Sequence, residues 1–236
     1  NATLYVLIAR EMSPFAFPGQ NEEIVNQLNG IIFDIVKANK AALDAFSDEL
    51  ETSGFLKAMQ HDCLEIYPRI LDAEMPLTAA AKAADKDLYK DITEIISRQL
   101  VLVAGVNNLV KRGNHNSFLP GTGQTRRGRD DTPNSLNDFA DVVFGKKLDY
   151  IDDTWFELED AATDNQLRNS IAHYKTEYDD VLQVVTYYPR KEGMEEERPQ
   201  QMMFIEFLRR ILLAYREMHR MHHLIKALFY YRYLMR

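Results

Sequence analysis

Between positions 88 and 106 the apolar residues recur in steps of three and four: Leu88, Ile92, Ile95, Ile96, Leu100, Val103 and Val106. A chain with that spacing can bury the whole set on one side only as an α-helix, because 3.6 residues complete a turn. The run predicts a helix from about Pro76 to Gly113. The same spacing returns in Ile24, Leu28, Ile31 and Ile35, in Leu50, Phe55, Met59 and Leu64, and in Phe204, Phe207, Leu208, Ile211, Leu212 and Tyr215 continuing to Leu224, Leu228 and Phe229. Ser47 and Asp48 are the expected caps of the second of these, and Pro68 its expected end. A short helix is expected over Leu136 to Phe144, and a long one from about Tyr150 to Tyr188, broken near Asp164. Val184 to Tyr188 is β-prone but has no visible partner. The fold expected is therefore all-α, an antiparallel helical bundle. Two stretches poor in apolar residues, Gly113 to Pro133 and Pro189 to Pro199, read as polar loops, the first of them mobile.

With 236 residues, 46% of them hydrophobic, the chain can build a core. Its single cysteine, Cys63, excludes an internal disulfide or a thiolate metal cluster and fits a reducing compartment. The longest apolar runs, Thr3 to Ala9 and Leu100 to Val106, fall far short of the roughly 20 residues that span a bilayer. The first has neither the basic residues nor the cleavage site of a secretory signal. These features predict a cytoplasmic protein with no membrane partner.

A net charge of −8 argues against holding nucleic acid by bulk electrostatics, so any such contact must be local. Two segments offer the charge. One is the loop with Lys111, Arg112, Arg126, Arg127 and Arg129, of which the last three are the candidate RNA contacts. The other is the last helix, with Arg209, Arg210, Arg216, Arg220, Lys226, Arg232 and Arg236, whose ordinary role would be a solvated face. His219, His222 and His223 share a turn and have the spacing of metal ligands, but Glu217 is followed three residues later by Arg220 rather than by the His of a di-iron bundle. The glycines of Gly121 to Gly128 lack the Gly-Lys-Ser/Thr of a phosphate loop. No metal or cofactor is expected.

The densest chemistry lies in Arg168 to His173. If the helix runs through this segment, Leu167, Ile171, Tyr174, Tyr178 and Val181 form its core stripe, and Asn169, His173, Thr176 and Asp180 gather opposite. His173 then faces water or another chain, with Asn169 and Glu177 each four residues away. A histidine titrates near neutral pH and suits proton transfer. An arginine is a fixed, always charged fork, which suits a phosphate gaining charge in its transition state. The plain alternative pairs Arg168 with Asp164 one turn earlier.

The string RNSIAH, followed by Tyr174, resembles the motif of HEPN domains: an Arg, a polar residue that is often Asn, and a His four to six residues after the Arg. Arg168, Asn169 and His173 match it. The layout from residue 76 to 236 is also similar to a HEPN helical bundle, while residues 1–75 form an N-terminal helical region without a family label. The resemblance implies a metal-independent endoribonuclease, a homodimer with two motifs across one cleft, in which a ribose 2′-hydroxyl attacks the adjacent phosphate to leave a cyclic phosphate. It implies proton transfer by His173, stabilisation of the phosphorane by Arg168, and orientation of the scissile phosphate or of the motif by Asn169. Toxins and antiviral effectors of this kind are often held by an inhibitory or activating protein partner. Where toxins modified by a nucleotidyltransferase carry a Tyr two residues after the His, this chain has Lys175.

Overall fold

The structure, a computed structural model, describes residues 18–72, 79–122, 130–152, 155–159, 162–189 and 198–235. In chain order these form α1 (Pro18–Thr52), α2 (Phe55–Asp72), α3 (Ala79–Arg112), α4 (Leu136–Ala140), α5 (Phe144–Lys147), a 3-10 turn (Leu148–Tyr150), α6 (Asn165–Ala172), β1 (Thr176–Asp179), β2 (Val184–Tyr187), β3 (Gln200–Met203) and α7 (Phe204–Tyr230), which continues into a π-helical turn (Tyr231–Met235). The chain is mostly helical, and α3 packs along α7 with α1 and α2 flanking both. The expected stripe of α3 is the spine of the core: Leu88, Ile92, Ile96, Leu100, Val103 and Val106 are all buried, against Phe207, Ile211, Met218 and Ile225 of α7 and Leu43, Phe46 and Met59 of the first two helices. Each such side chain contributes about 1.5–3 kcal/mol by leaving water. Among the described residues, no helix is long and apolar enough to cross a membrane.

Several expected boundaries move. Ser47 is buried inside α1 rather than capping a new helix; the break comes at Gly54, whose φ of +67° ends α1, and α2 starts at Phe55. Pro68 lies within α2, where the carbonyl deprived of a donor belongs to the exposed Leu64. α1 itself breaks at Asn39, whose φ of −158° and ψ of 76° are not helical. The Asn39 Oδ1 accepts from the Ala42 N–H at 3.1 Å, as an N-cap does, while its Nδ2 donates to the Gly113 carbonyl at the end of α3.

The stretch after α3 is packed where it is described, contrary to the mobile loop expected there. His115 and Phe118 are buried, Phe118 stacks on Phe139 of α4 at 5.3 Å between centroids, and Arg112 forks onto both carboxylate oxygens of Asp152. Arg126, Arg127 and Arg129 lie outside the described residues. The helix expected over 136–144 is two short ones, α4 and α5.

The largest correction concerns 150–188. Instead of one long helix, the described residues of this region hold the end of the 3-10 turn, α6 and the strands β1 and β2, which form an antiparallel sheet of order β1-β2-β3 with Gln200–Met203. Val184–Tyr187 does have partners, Thr176–Asp179 on one side and Gln200–Met203 on the other, with Thr176 opposite Tyr187 and Val184 opposite Met203. Between β1 and β2 the Asp179 Oδ1 accepts from the N–H groups of Val181 and Leu182, and Gln183 takes φ +56° to close the turn. The stripe therefore breaks: Leu167 and Ile171 are buried, but Tyr174 is 93% exposed and Val181 86% exposed.

Two basic residues of α7 pair with carboxylates of the segment before α6, Arg210 with Asp164 and Arg216 with Glu159, and fasten that segment to the bundle. Arg220 pairs within α7 with the fully buried Glu217, and Arg232 of the π-helical turn pairs with Asp48 of α1.

Candidate functional site

α6 is short and capped at both ends. Asp164 is its N-cap, with its carboxylate accepting from the N–H groups of Gln166 and Leu167 at 3.0 Å while also holding Arg210. Asp164 is thus occupied by Arg210, and Arg168, which the plain alternative would pair with it, pairs with Glu94 instead. At the other end His173 is the C-cap and Tyr174 follows at φ +58°. The Tyr174 N–H donates to the Ile171 carbonyl and the Lys175 N–H to the Ser170 carbonyl, which is the double closure of a Schellman motif with Tyr where glycine is usual. A left-handed conformation costs a non-glycine residue roughly 1–2 kcal/mol. Tyr174→Gly is accordingly expected to raise stability by about 1 kcal/mol, read from the urea midpoint at unchanged m-value. A lower midpoint would mean that the exposed ring holds a contact of its own.

The C-cap position, not a helix face, points His173 outward. It is exposed, as expected, although Thr176, Glu177 and Asp180 are no longer on a helix with it. The buried Ser170 hydroxyl lies 2.8 Å from the Gln166 carbonyl and 2.7 Å from that of Tyr188, tying α6 to the end of β2.

Arg168 is anchored from two sides. One terminal nitrogen donates to the Asn169 Oδ1 at 3.0 Å, and the other forms an ion pair with Glu94 of α3. Its Nε is buried and has no hydrogen-bond partner among the described residues. Burial pushes the guanidinium down from its ordinary value, though an arginine so placed stays charged. Asn169, an exposed residue, thus spends its amide oxygen on Arg168.

These residues line one cleft of ≈820 Å³. Arg168, Asn169 and His173 form part of its wall, and Lys146 of α5, Lys175, and Tyr188 beyond β2 complete it. Gly145 sits where a Cβ would come 3.1 Å from the Asn165 Nδ2, so its lack of a side chain lets α5 lie close against α6. Glu94 and Lys146 were not singled out as site residues by sequence reasoning, because they reach the motif only through packing of distant segments, whereas Lys175 lies two residues after His173 and is brought to the cleft by the chain itself.

The other candidates fall elsewhere. The three histidines of α7 do not form an exposed cluster: His219 and His222 are buried against Tyr67 of α2, and His223 stands edge-on to His219 at 4.9 Å between centroids. The His222 Nε2 donates to the Gln60 Oε1 at 2.8 Å, so its Nδ1 accepts from the Tyr67 hydroxyl, which also lies 3.2 Å from the His219 Nδ1. A signal for this existed, since His222 falls on the stripe Ile211, Tyr215, Met218, Ile225. Among the described residues no group of three or more His, Cys, Asp or Glu is placed to hold a metal. Tyr187 and Tyr231 are buried in the core. Cys63 is buried beside Gln99, and burial pushes its thiol up to about 12, far from a reactive thiolate. Compared with protein-family models, with curated proteins and with solved structures, the chain matches none.

Proposed function

We propose that the protein is a metal-independent endoribonuclease of the HEPN type, acting as a homodimer with a composite site. The observation that carries this reading is the gathering of Arg168, Asn169 and His173 in one cleft with Lys146 and Lys175. An acidic chain would not otherwise concentrate cations there, and a cationic cleft focuses its field on an anionic substrate. In the proposed reaction the 2′-oxygen attacks the adjacent phosphorus, His173 of one copy takes the 2′ proton, and the bond from phosphorus to the 5′-oxygen breaks. The His173 of the second copy supplies the proton to that oxygen. Products are a 2′,3′-cyclic phosphate and a 5′-hydroxyl, with Arg168 bearing the charge of the phosphorane. Asn169 acts through Arg168 and is a positioning residue. Toxin or antiviral activity, cytoplasmic location and control by an inhibitory or activating partner belong to the same proposal.

The test is cleavage of total RNA in EDTA by the intact protein and by His173→Ala, with product ends analysed. Loss of a general acid–base group is expected to slow cleavage by about 10²- to 10⁴-fold. Equal rates for the two proteins would sink the reading. A second reading, a non-catalytic module that binds RNA, nucleotide or protein, is favoured by one observation: Arg168 already holds Glu94, as an arginine serving only the fold would. That reading predicts cleavage by neither protein and binding by both.

A further inference from the structure

Lys146 and Lys147 are neighbours with opposite fates. Lys147 turns inward, is buried, and donates from its Nζ to the Ser97 carbonyl at 2.8 Å under the Phe139 ring. Lys146 turns into the cleft. Its counterion is Asp131 at 3.3 Å, with side chains 51% and 25% exposed, and an ion pair that open to water is weak and exchangeable. Lys175 reaches the same cleft from the link between α6 and β1. Its backbone is fixed on both sides, the N–H on the Ser170 carbonyl and the carbonyl on the Tyr188 N–H. Thus two lysines from different elements join Arg168 in a space of ≈820 Å³, near the upper end of what small-ligand pockets enclose, and larger than one phosphate needs. Arg168 is meanwhile committed to Glu94 and Asn169 at one place along that space.

We infer that the cleft takes two successive phosphates of a nucleic acid strand, the scissile one at Arg168 and His173 and its neighbour at Lys146 and Lys175. The inference rests on the ribonuclease reading for its choice of ligand and adds a binding register to it. The lysines make point-charge contacts to non-bridging oxygens, which carry no base information, so the second subsite fixes where the strand lies without fixing its sequence. Gly145 has a positioning part here, since it keeps α5 close enough to α6 for Lys146 to share the cleft.

The test uses the intact protein with a 2′-O-methyl oligoribonucleotide, which binds but cannot be cut, titrated over a range of salt. Each single-strand phosphate contact contributes about 0.7 to the slope of log K against log salt. Lys146→Ala and Lys175→Gln are each expected to lower the slope by about that amount and to weaken binding several-fold for every sequence tried. A dinucleotide carrying two phosphates is expected to outbind a mononucleotide carrying one, and the double variant to lose that preference. Slopes and preference unchanged in the variants, with circular dichroism showing them folded, would overturn the inference. The two readings fail separately: lost cleavage in His173→Ala with indifferent lysine variants removes only the second subsite, whereas lysine-dependent binding without any cleavage leaves a two-phosphate site and removes the nuclease.

Discussion

Acidification from pH 7 to pH 5 is expected to cost the protein about 3–6 kcal/mol of stability, a large part of what a domain of this size has. The cause is the histidine group between α2 and α7. Burial pushes His219 down to about 4, His222 to about 3 and His223 to about 4, with the nearby Lys226 ammonium acting in the same direction. The groups around them offer no relief: Tyr67 and Gln60 bind the neutral rings, and among the described residues the charged group that acts on all three is the Lys226 ammonium. An unfolded histidine takes up its proton near pH 6.5. Below that pH the unfolded chain binds more protons than the folded one, so stability rises with pH and is lost as pH falls from 6.5 toward 4. Urea unfolding at stepped pH would show the slope. His219→Phe, which removes one buried ring nitrogen that has no partner, is expected to move the acid midpoint down. Stability that is flat from pH 7 to pH 4.5 would mean that these rings are not buried neutral.

On the proposed ribonuclease reading, Arg168→Lys is expected to lower the cleavage rate at saturating RNA by about 10²-fold or more, although it keeps the charge. The guanidinium serves Asn169 and Glu94 from separate nitrogens of one rigid plane, and a phosphate must be met from the same plane. An ammonium is a point donor on a flexible stem and cannot hold that arrangement. It would also release the Asn169 amide to turn. The fold should survive, because Glu94 is nearly half exposed and can be rehydrated when its partner is shortened. The discriminating measurement is single-turnover cleavage beside urea stability. A Lys variant within threefold of the parent would leave Arg168 no role in the phosphorane, and a collapse in stability would assign the arginine to the fold.

The helices that form the core were legible because their apolar residues repeat over many turns. In α3 and α7 the stripe outvotes every local irregularity. The misreading of 150–188 has a specific cause. Leu167, Ile171, Tyr174, Tyr178 and Val181 keep helical spacing, and nothing in that string says that Tyr174 adopts a left-handed backbone and ends the helix. The strand Val184–Tyr187 was visible as β-prone, but its partner Gln200–Met203 reads Gln-Gln-Met-Met, with neither β-branched residues nor alternation, and lies beyond a stretch outside the described residues, so no pattern linked the two. Arg168, Asn169 and His173 were legible as a contiguous string. Glu94 and Lys146 were not, since only the packing of α3, α5 and α6 brings them to it.

The ion pairs that fasten the segment around α6 to the long helices have a kinetic consequence. Arg210 with Asp164, Arg216 with Glu159 and Arg168 with Glu94 cross from α7 or α3 to this one short stretch, while its own apolar anchors are few, Leu167 and Ile171 among them. A segment tethered by charge can open as a unit while the bundle stays closed. In amide hydrogen exchange the N–H groups of α6 would then exchange through sub-global opening that quickens with salt, whereas those at the centre of α3 would wait for global unfolding. Among the described elements, the wall of the cleft would then open ahead of the bundle that carries it.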